Sequence, residues 1–189
     1  MTIMIKILIY LSYLFGTSEL ILTVTKRSKQ KNVKKKNDRG SLIILWVIII
    51  LSITAGFNLA YYKTWSSLNY FIYAMGIMVY FSGMIIRWTS IIQLKKAFTV
   101  DVAISRNQEL KTDGLYRLVR HPSYLGTIMI VSGLSLCMNS LFSFLVVTIP
   151  VFLANIYRIH VEEAILVDEF GEKYKEYRKT TRKIIPYIY

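Results

Sequence analysis

Two clusters in this chain carry side chains able to do chemistry, and both lie where apolar runs meet charged sequence. The first is the stretch Gly114-Leu115-Tyr116-Arg117-Leu118-Val119-Arg120-His121-Pro122-Ser123-Tyr124-Leu125-Gly126, which directly abuts a long apolar run. Titratable groups at a bilayer boundary are costly to hold and mark sites, although basic residues flanking a span also serve as plain topology anchors. The second cluster is Arg158 with Glu162 and Glu163. Arg158 and Glu162 are four residues apart and share a helix face. As an ordinary ion pair they would contribute only about 0.3–0.5 kcal/mol. Yet Arg158 emerges from an apolar run at the depth where Arg120 and His121 also lie. A planar guanidinium suits a carboxylate or phosphate, and Glu162 or Glu163 suits a cation. Together with the neighbouring aromatics, these groups fit a zwitterionic cofactor and an amphiphilic substrate.

The elements that must position them are membrane helices. Of the 189 residues 54% are hydrophobic, yet the formal net charge is +13, and the two kinds of residue are segregated into blocks rather than alternating. A run of about 20 apolar residues crosses a bilayer core as a helix. The first span runs from about Ile3 to Val24, interrupted by Glu19, with no small-residue cleavage pattern, so it reads as a retained helix rather than a signal peptide. The second covers about Leu42 to Tyr62 and the third about Tyr70 to Leu94, with Arg87 in its last turns placed to snorkel. The apolar stretch from Leu125 to Ile156 is too long for one span and breaks at Asn139-Ser140, which predicts a helical hairpin. Gly126, Ser132 and Gly133 offer small surfaces for close helix packing. The expected fold is therefore an all-α integral membrane protein with about five transmembrane helices. Residues 1–94 carry the first three with a basic loop at 26–39. Residues 95–189 carry a polar segment at 95–124, the hairpin at 125–157, and a C-terminal amphipathic helix and tail at 158–189.

Charge sets the orientation. The loop Lys26 to Arg39, the segment Lys95 to Tyr124 and the tail from Arg158 all fall on one face, the cytosolic one by the positive-inside rule, with the N-terminus outside. The Lys63 link and the Asn139 turn form the opposite face. The basic loop sits between two spans, so it reads as a topology signal that touches anionic headgroups rather than as a nucleic-acid site. A single cysteine, Cys137, and two histidines supply neither a disulfide framework nor a metal centre. The expected partners are the lipid bilayer and a lipophilic or lipidated acceptor, with no nucleic acid and no metal. The short length points to a microbial cell membrane.

The pattern Gly-x-Tyr-x-x-x-Arg-His-Pro-x-Tyr-x-Gly, followed by Glu162-Glu163 and then Phe170-Gly171-x-x-Tyr174-x-x-Tyr177, with Arg182 and Pro186 beyond, resembles the isoprenylcysteine carboxyl methyltransferase family. The wider group includes phospholipid methyltransferases. The resemblance covers about Leu94 to Pro186; the first two spans match in hydropathy alone. It implies a membrane enzyme that binds S-adenosyl-L-methionine between the polar segment and the C-terminal helix and releases S-adenosyl-L-homocysteine. By motif match, Tyr116, His121, Pro122, Ser123 and Tyr124 line the cofactor pocket, Glu162 contacts the cofactor, and Arg158 faces the substrate, so Arg158 and Glu162 are the catalytic candidates. The family's His-x-Leu-Val segment reads Gln108-Glu109-Leu110-Lys111 here, Asp101 matches a further cofactor position loosely, and the family's upstream Leu-Gly is Leu94-Lys95. The implied acceptor is the carboxylate of a prenylcysteine-like substrate. A carboxylate is already ionised at neutral pH, so methyl transfer to it needs no general base. An amine acceptor, as in phospholipid methylation, would need one, and Glu162 or Glu163 would then be that group.

Membrane sterol reductases that use NADPH share the Arg-His-Pro-x-Tyr-x-Gly core, but carry Asn before the Tyr and Glu after the Gly. Ser123 and Thr127 stand there instead. A non-enzymatic membrane subunit, its charges serving only as anchors, is the third reading.

Overall fold

The computed structural model describes residues 2–26, 33–36, 40–62, 69–95, 97–100, 103–105 and 109–185. Six helices dominate: α1 (Thr2–Thr25), α2 (Ser41–Tyr62), α3 (Tyr70–Leu94), α4 (Pro122–Cys137), α5 (Leu141–Phe170) and α6 (Glu172–Thr180). The chain is an all-helical integral membrane protein. Four helices are long and apolar enough to cross a bilayer, namely α1, α2, α3 and α5. The fifth, α4, has only 16 residues, about 24 Å at 1.5 Å per residue. Many large apolar side chains, among them Tyr10, Leu20, Ile43, Leu51, Phe71 and Leu153, are exposed on the helix exteriors, as lipid-facing surfaces are.

Local chemistry explains the helix ends. The Asn69 side chain caps α3 by accepting from the amides of Phe71 and Ile72 at 3.1 and 3.2 Å. Pro122 opens α4 at a position where a missing amide hydrogen costs nothing. The Ser140 hydroxyl caps α5, accepting from Ser143 N at 3.3 Å. Helix α5 then runs unbroken past Arg158 and Glu162 to Gly171, whose φ of +53° ends it. The expected boundary at residue 158 is therefore not a helix end. Composition changes there from apolar to charged, but no Gly or Pro stands between Arg158 and Phe170, Pro150 further back does not end the helix, and a change of polarity alone does not terminate one.

Helices α3 and α4 pack closest. Gly76 and Gly83 on α3 face Gly133 and Gly126 on α4. A Cβ on Gly83 would lie 2.7 Å from Ile130 N and 2.8 Å from Gly126 O, and one on Gly126 would lie 2.7 Å from Arg87 N. A seven-residue spacing returns to the same helix face after two turns, so four glycines bring the two backbones together. Gly126 and Gly133 are legible in the sequence as packing surfaces; the structure adds Gly83 and Gly76 as their partners on α3. The short α4 leaves the Asn139-Ser140 turn inside the bundle, both residues being buried. Nearby, the Ser143 hydroxyl donates to Gly56 O of α2 at 2.9 Å. The turn at the far end of the hairpin is thus covered by neighbouring helices. A two-stranded ribbon, β1 (Val33–Lys36) antiparallel to β2 (Ala103–Ser105), also joins the basic loop to the polar segment; neither strand was expected.

Candidate functional site

The C-terminal elements fold back on the polar segment and hold it at one end of the bundle. Residues Val119 and Arg182 form a parallel bridge. Arg120 N donates to Arg182 O at 2.8 Å and His121 N to Lys183 O at 3.0 Å. The Arg120 guanidinium donates to Glu163 Oε1 at 2.8 Å and also reaches Thr181 O at the end of α6. Glu163 further lies 3.4 Å from His121 Nε2 and accepts from the Tyr174 hydroxyl at 3.3 Å. Arg120, His121, Glu163 and Tyr174 thus form a buried knot. Upstream, Gly114 (φ +63°) lets the chain turn tightly against Gln93, whose Oε1 accepts from Leu115 N at 2.9 Å.

The two acidic neighbours divide. Glu163 is 6% exposed and consumed by this knot. The Glu162 side chain, 32% exposed, faces a cavity and accepts from the Tyr124 hydroxyl at 2.7 Å. That cavity is continuous with solvent. Its polar end is walled by Glu109, Leu110, Lys111, Tyr116, His121, Tyr124, Glu162, Phe170, Tyr174 and Tyr177. Its other end runs between helices to Phe15, Leu42, Leu45, Trp46 and Ile49. Arg158, 3% exposed, stands on the wall, donating to Ser41 Oγ at 2.9 Å and to Val100 O.

The phenols around the polar end are held protonated. Burial pushes Tyr116 up strongly, and the Glu162 carboxylate adds to the shift. Burial and then Glu163 do the same to Tyr174, and burial lifts Tyr177 to about 12. They act as donors: Tyr116 to Ser90 O at 3.3 Å, and Tyr177 to Tyr116 O. The wall therefore offers solvent-reachable carboxylates, Glu162 and Glu109, together with aromatic faces and neutral hydroxyls.

The structure brings Tyr116, His121, Ser123, Tyr124, Arg158, Glu162 and Glu109-Leu110-Lys111 to this cavity. Pro122 starts α4 and is fully buried. Asp101 and Gln108 lie outside the described residues. One feature overturns the expectation for α3. Arg87 does not snorkel: it is 8% exposed and grips Glu19 of α1, donating through Nη2 to Oε2 at 2.6 Å. Two lone opposite charges in separate apolar runs were the signal for this pair, because a charge in a membrane helix costs least when matched.

A family profile described as phospholipid methyltransferase matches residues 71–173, more than half of the chain. The chain belongs to the phospholipid methyltransferase family. Within that family its curated relatives carry the name anticipated from the motifs. A protein-S-isoprenylcysteine O-methyltransferase of Schizosaccharomyces pombe is 36% identical over 108 residues, 56% of this chain and 46% of that protein. Protein-S-isoprenylcysteine O-methyltransferase B of Arabidopsis thaliana is 30% identical over 122 residues, 64% of this chain and 62% of that one. The structure of a eukaryotic intramembrane Ras methyltransferase, isoprenylcysteine carboxyl methyltransferase, superposes with a TM-score of 0.65 at 25% identity, over 76% of this chain and 52% of that chain. The match thus spans about half to three fifths of these relatives' own length. The phospholipid methyltransferase profile takes in α3, α4, α5 and the start of α6, the elements that carry Arg158, Glu162 and the Arg120-His121 turn.

Proposed function

We propose that this protein is a membrane-embedded, S-adenosyl-L-methionine-dependent methyltransferase whose acceptor is the carboxylate of a lipophilic, prenylcysteine-like molecule. The observation that carries the reading is one cavity with two unlike ends. An anionic, aromatic end opens beside Glu109-Lys111, and an apolar end passes between α1 and α2, with Arg158 on the wall they share. The donor set of the first end fits the cofactor: a reachable carboxylate, Glu162, for a cationic group, with Tyr116 and Tyr174 as flat walls for a heterocycle. Tyr116, His121, Tyr124, Glu162 and Glu109-Leu110-Lys111 are the residues that would hold it, Asp101 and Gln108 being further candidates by motif. The cofactor supplies a methyl group on a positively charged sulfur, and its transfer to a carboxylate discharges both partners.

The protein's own share is orientation and exclusion of water. Tyr124 holds Glu162 in one rotamer through their hydrogen bond. Arg158, fixed by Ser41 and Val100, presents a planar cation to an acceptor carboxylate. The apolar end receives the acceptor's hydrocarbon portion from the bilayer. We place this end of the bundle on the cytosolic face, where the basic loop and tail put it.

The test is direct. Purified protein in nanodiscs should bind S-adenosyl-L-homocysteine, raising its thermal midpoint, and should methylate an S-farnesylcysteine analogue. Stabilisation by NADPH with no response to S-adenosyl-L-homocysteine would overturn the reading. A second acceptor class is favoured by the family's phospholipid members and by the exposed Glu162, able to take a proton from an amine. Methylation of phosphatidylethanolamine in place of the carboxylate would establish it.

A further inference from the structure

Helix α1 lies outside the segment that matches the family, yet it supplies two residues, Phe15 and Glu19, to the cavity wall. Glu19 sits six residues from the end of α1 and Arg87 seven residues from the end of α3, so their pair lies about 10 Å inside the helix ends at 1.5 Å per residue. Both side chains are under 10% exposed. The Glu19 carboxylate takes Nε and Nη2 of Arg87 on its two oxygens, a bidentate pairing that fixes the plane of the guanidinium.

With that plane fixed, the remaining nitrogen has one direction to point. Nη1 donates to Thr127 Oγ1 at 2.7 Å, to Ser123 Oγ at 2.9 Å and to Ser123 O at 3.1 Å. The close approach of α3 to α4 at Gly126, between these two residues, makes the reach short. Arginine has only donors, so both hydroxyl oxygens act as acceptors toward it. Thr127 directs its own hydrogen to Ser123 O at 3.1 Å. The Ser123 hydrogen meets no acceptor among the described residues, and Ser123 lines the cavity. While its oxygen faces Arg87, its hydrogen is left to donate to whatever fills that space.

We propose that Glu19 is a positioning residue for the acceptor: through Arg87 it orients the Ser123 hydroxyl, which donates a hydrogen bond to an oxygen of the bound acceptor. The motif resemblance groups Ser123 with the cofactor. Its place in this relay, bonded to Arg87 and through it tied to Glu19 of α1, assigns it to the acceptor side. The inference rests on the methyltransferase reading given above. It differs from a plain structural role for the ion pair, which would hold α1 against α3 and leave the acceptor's affinity unchanged.

The experiment compares wild type, Ser123→Ala, the double variant Glu19→Met/Arg87→Met, and the triple combination, all in nanodiscs. Removing both charges together avoids leaving one buried alone, and such apolar replacements are often tolerated. Product binding by calorimetry and methyl transfer to an S-farnesylcysteine analogue are read on each. Expected is an acceptor KM raised tenfold or more by Ser123→Ala and by the Met pair alike. The triple variant should be no worse than either, because both act through one hydroxyl, and S-adenosyl-L-homocysteine affinity should stay within about threefold. Wild-type acceptor KM in the Met pair, or fully multiplicative effects in the triple variant, overturns the relay. If the Met pair does not fold, Glu19→Gln decides: its amide offers one acceptor oxygen, and an unchanged acceptor KM sinks the proposal. Absence of both product binding and methyl transfer in wild type would instead bring down the methyltransferase reading, and the relay with it.

Discussion

Arg158 is the residue at which a structural and a chemical role diverge most sharply. Its guanidinium already ties the start of α2 to the polar segment through Ser41 and Val100, and a lysine at that position keeps the charge. If Arg158 also orients an acceptor carboxylate with two parallel donors, lysine cannot reproduce the geometry. Arg158→Lys is expected to lower turnover tenfold or more, about 1.4 kcal/mol in barrier, while cofactor affinity by calorimetry stays near wild type. Unchanged turnover removes the clamp. Glu162→Gln tests the opposite partner. It keeps an oxygen for Tyr124 but loses the charge, and product affinity should fall about tenfold while Glu163→Gln instead lowers the thermal midpoint. That contrast follows from exposure, since Glu162 faces the cavity and Glu163 is enclosed by Arg120, His121 and Tyr174.

At the scale of elements, α3 and α4 both give residues to the cavity, Arg87 from one and Ser123 and Tyr124 from the other, and their close packing fixes how these stand to each other. Gly83→Ala places a methyl group 2.7–2.8 Å from backbone atoms of α4, which must move. Overpacking of this kind costs about 1–3 kcal/mol, so the thermal midpoint in detergent should drop by several degrees. Gly16→Ala on α1, where nothing lies within 4 Å, is the control and should be neutral or slightly stabilising. The long apolar runs made α1, α2 and α3 legible almost to the residue, because hydropathy and span length are local properties. The extent of α4 and the continuation of α5 were not legible, since a change from apolar to charged sequence looks like a boundary whether or not the helix stops. In the site, the Arg-His-Pro and Glu-Glu motifs pointed to one cavity although 42 positions separate His121 from Glu163. Glu19 and Arg87 stand out as lone charges in apolar runs, but that they meet depends on the relative rotation of two helices and joins residues 68 positions apart, which nothing local encodes.

Across the described residues, the polar segment and α6 pack together around Arg120 and Glu163, while large apolar side chains are exposed along α1, α2, α3 and α5. Orientation in the bilayer is open to a simple check, helped by the burial of Cys137. A cysteine placed at Asn69 should react with an impermeant reagent in intact cells, whereas one placed at Glu172 should react only after permeabilisation. The reverse pattern would put the cavity mouth on the wrong side for a cytosolic cofactor. The hairpin of α4 and α5 has a further consequence for the surrounding lipid. A helix of about 24 Å falls short of a hydrocarbon core of about 30 Å, while α3 beside it, with 25 residues, does not. Where α4 does meet lipid its apolar length falls short of that core, and the mismatch carries a cost that grows with each ångström. Acyl-chain length becomes a variable of the protein's stability: reconstituted in bilayers of 14-, 18- and 22-carbon lipids, it should be most stable in the thinnest and lose stability steadily as the membrane thickens.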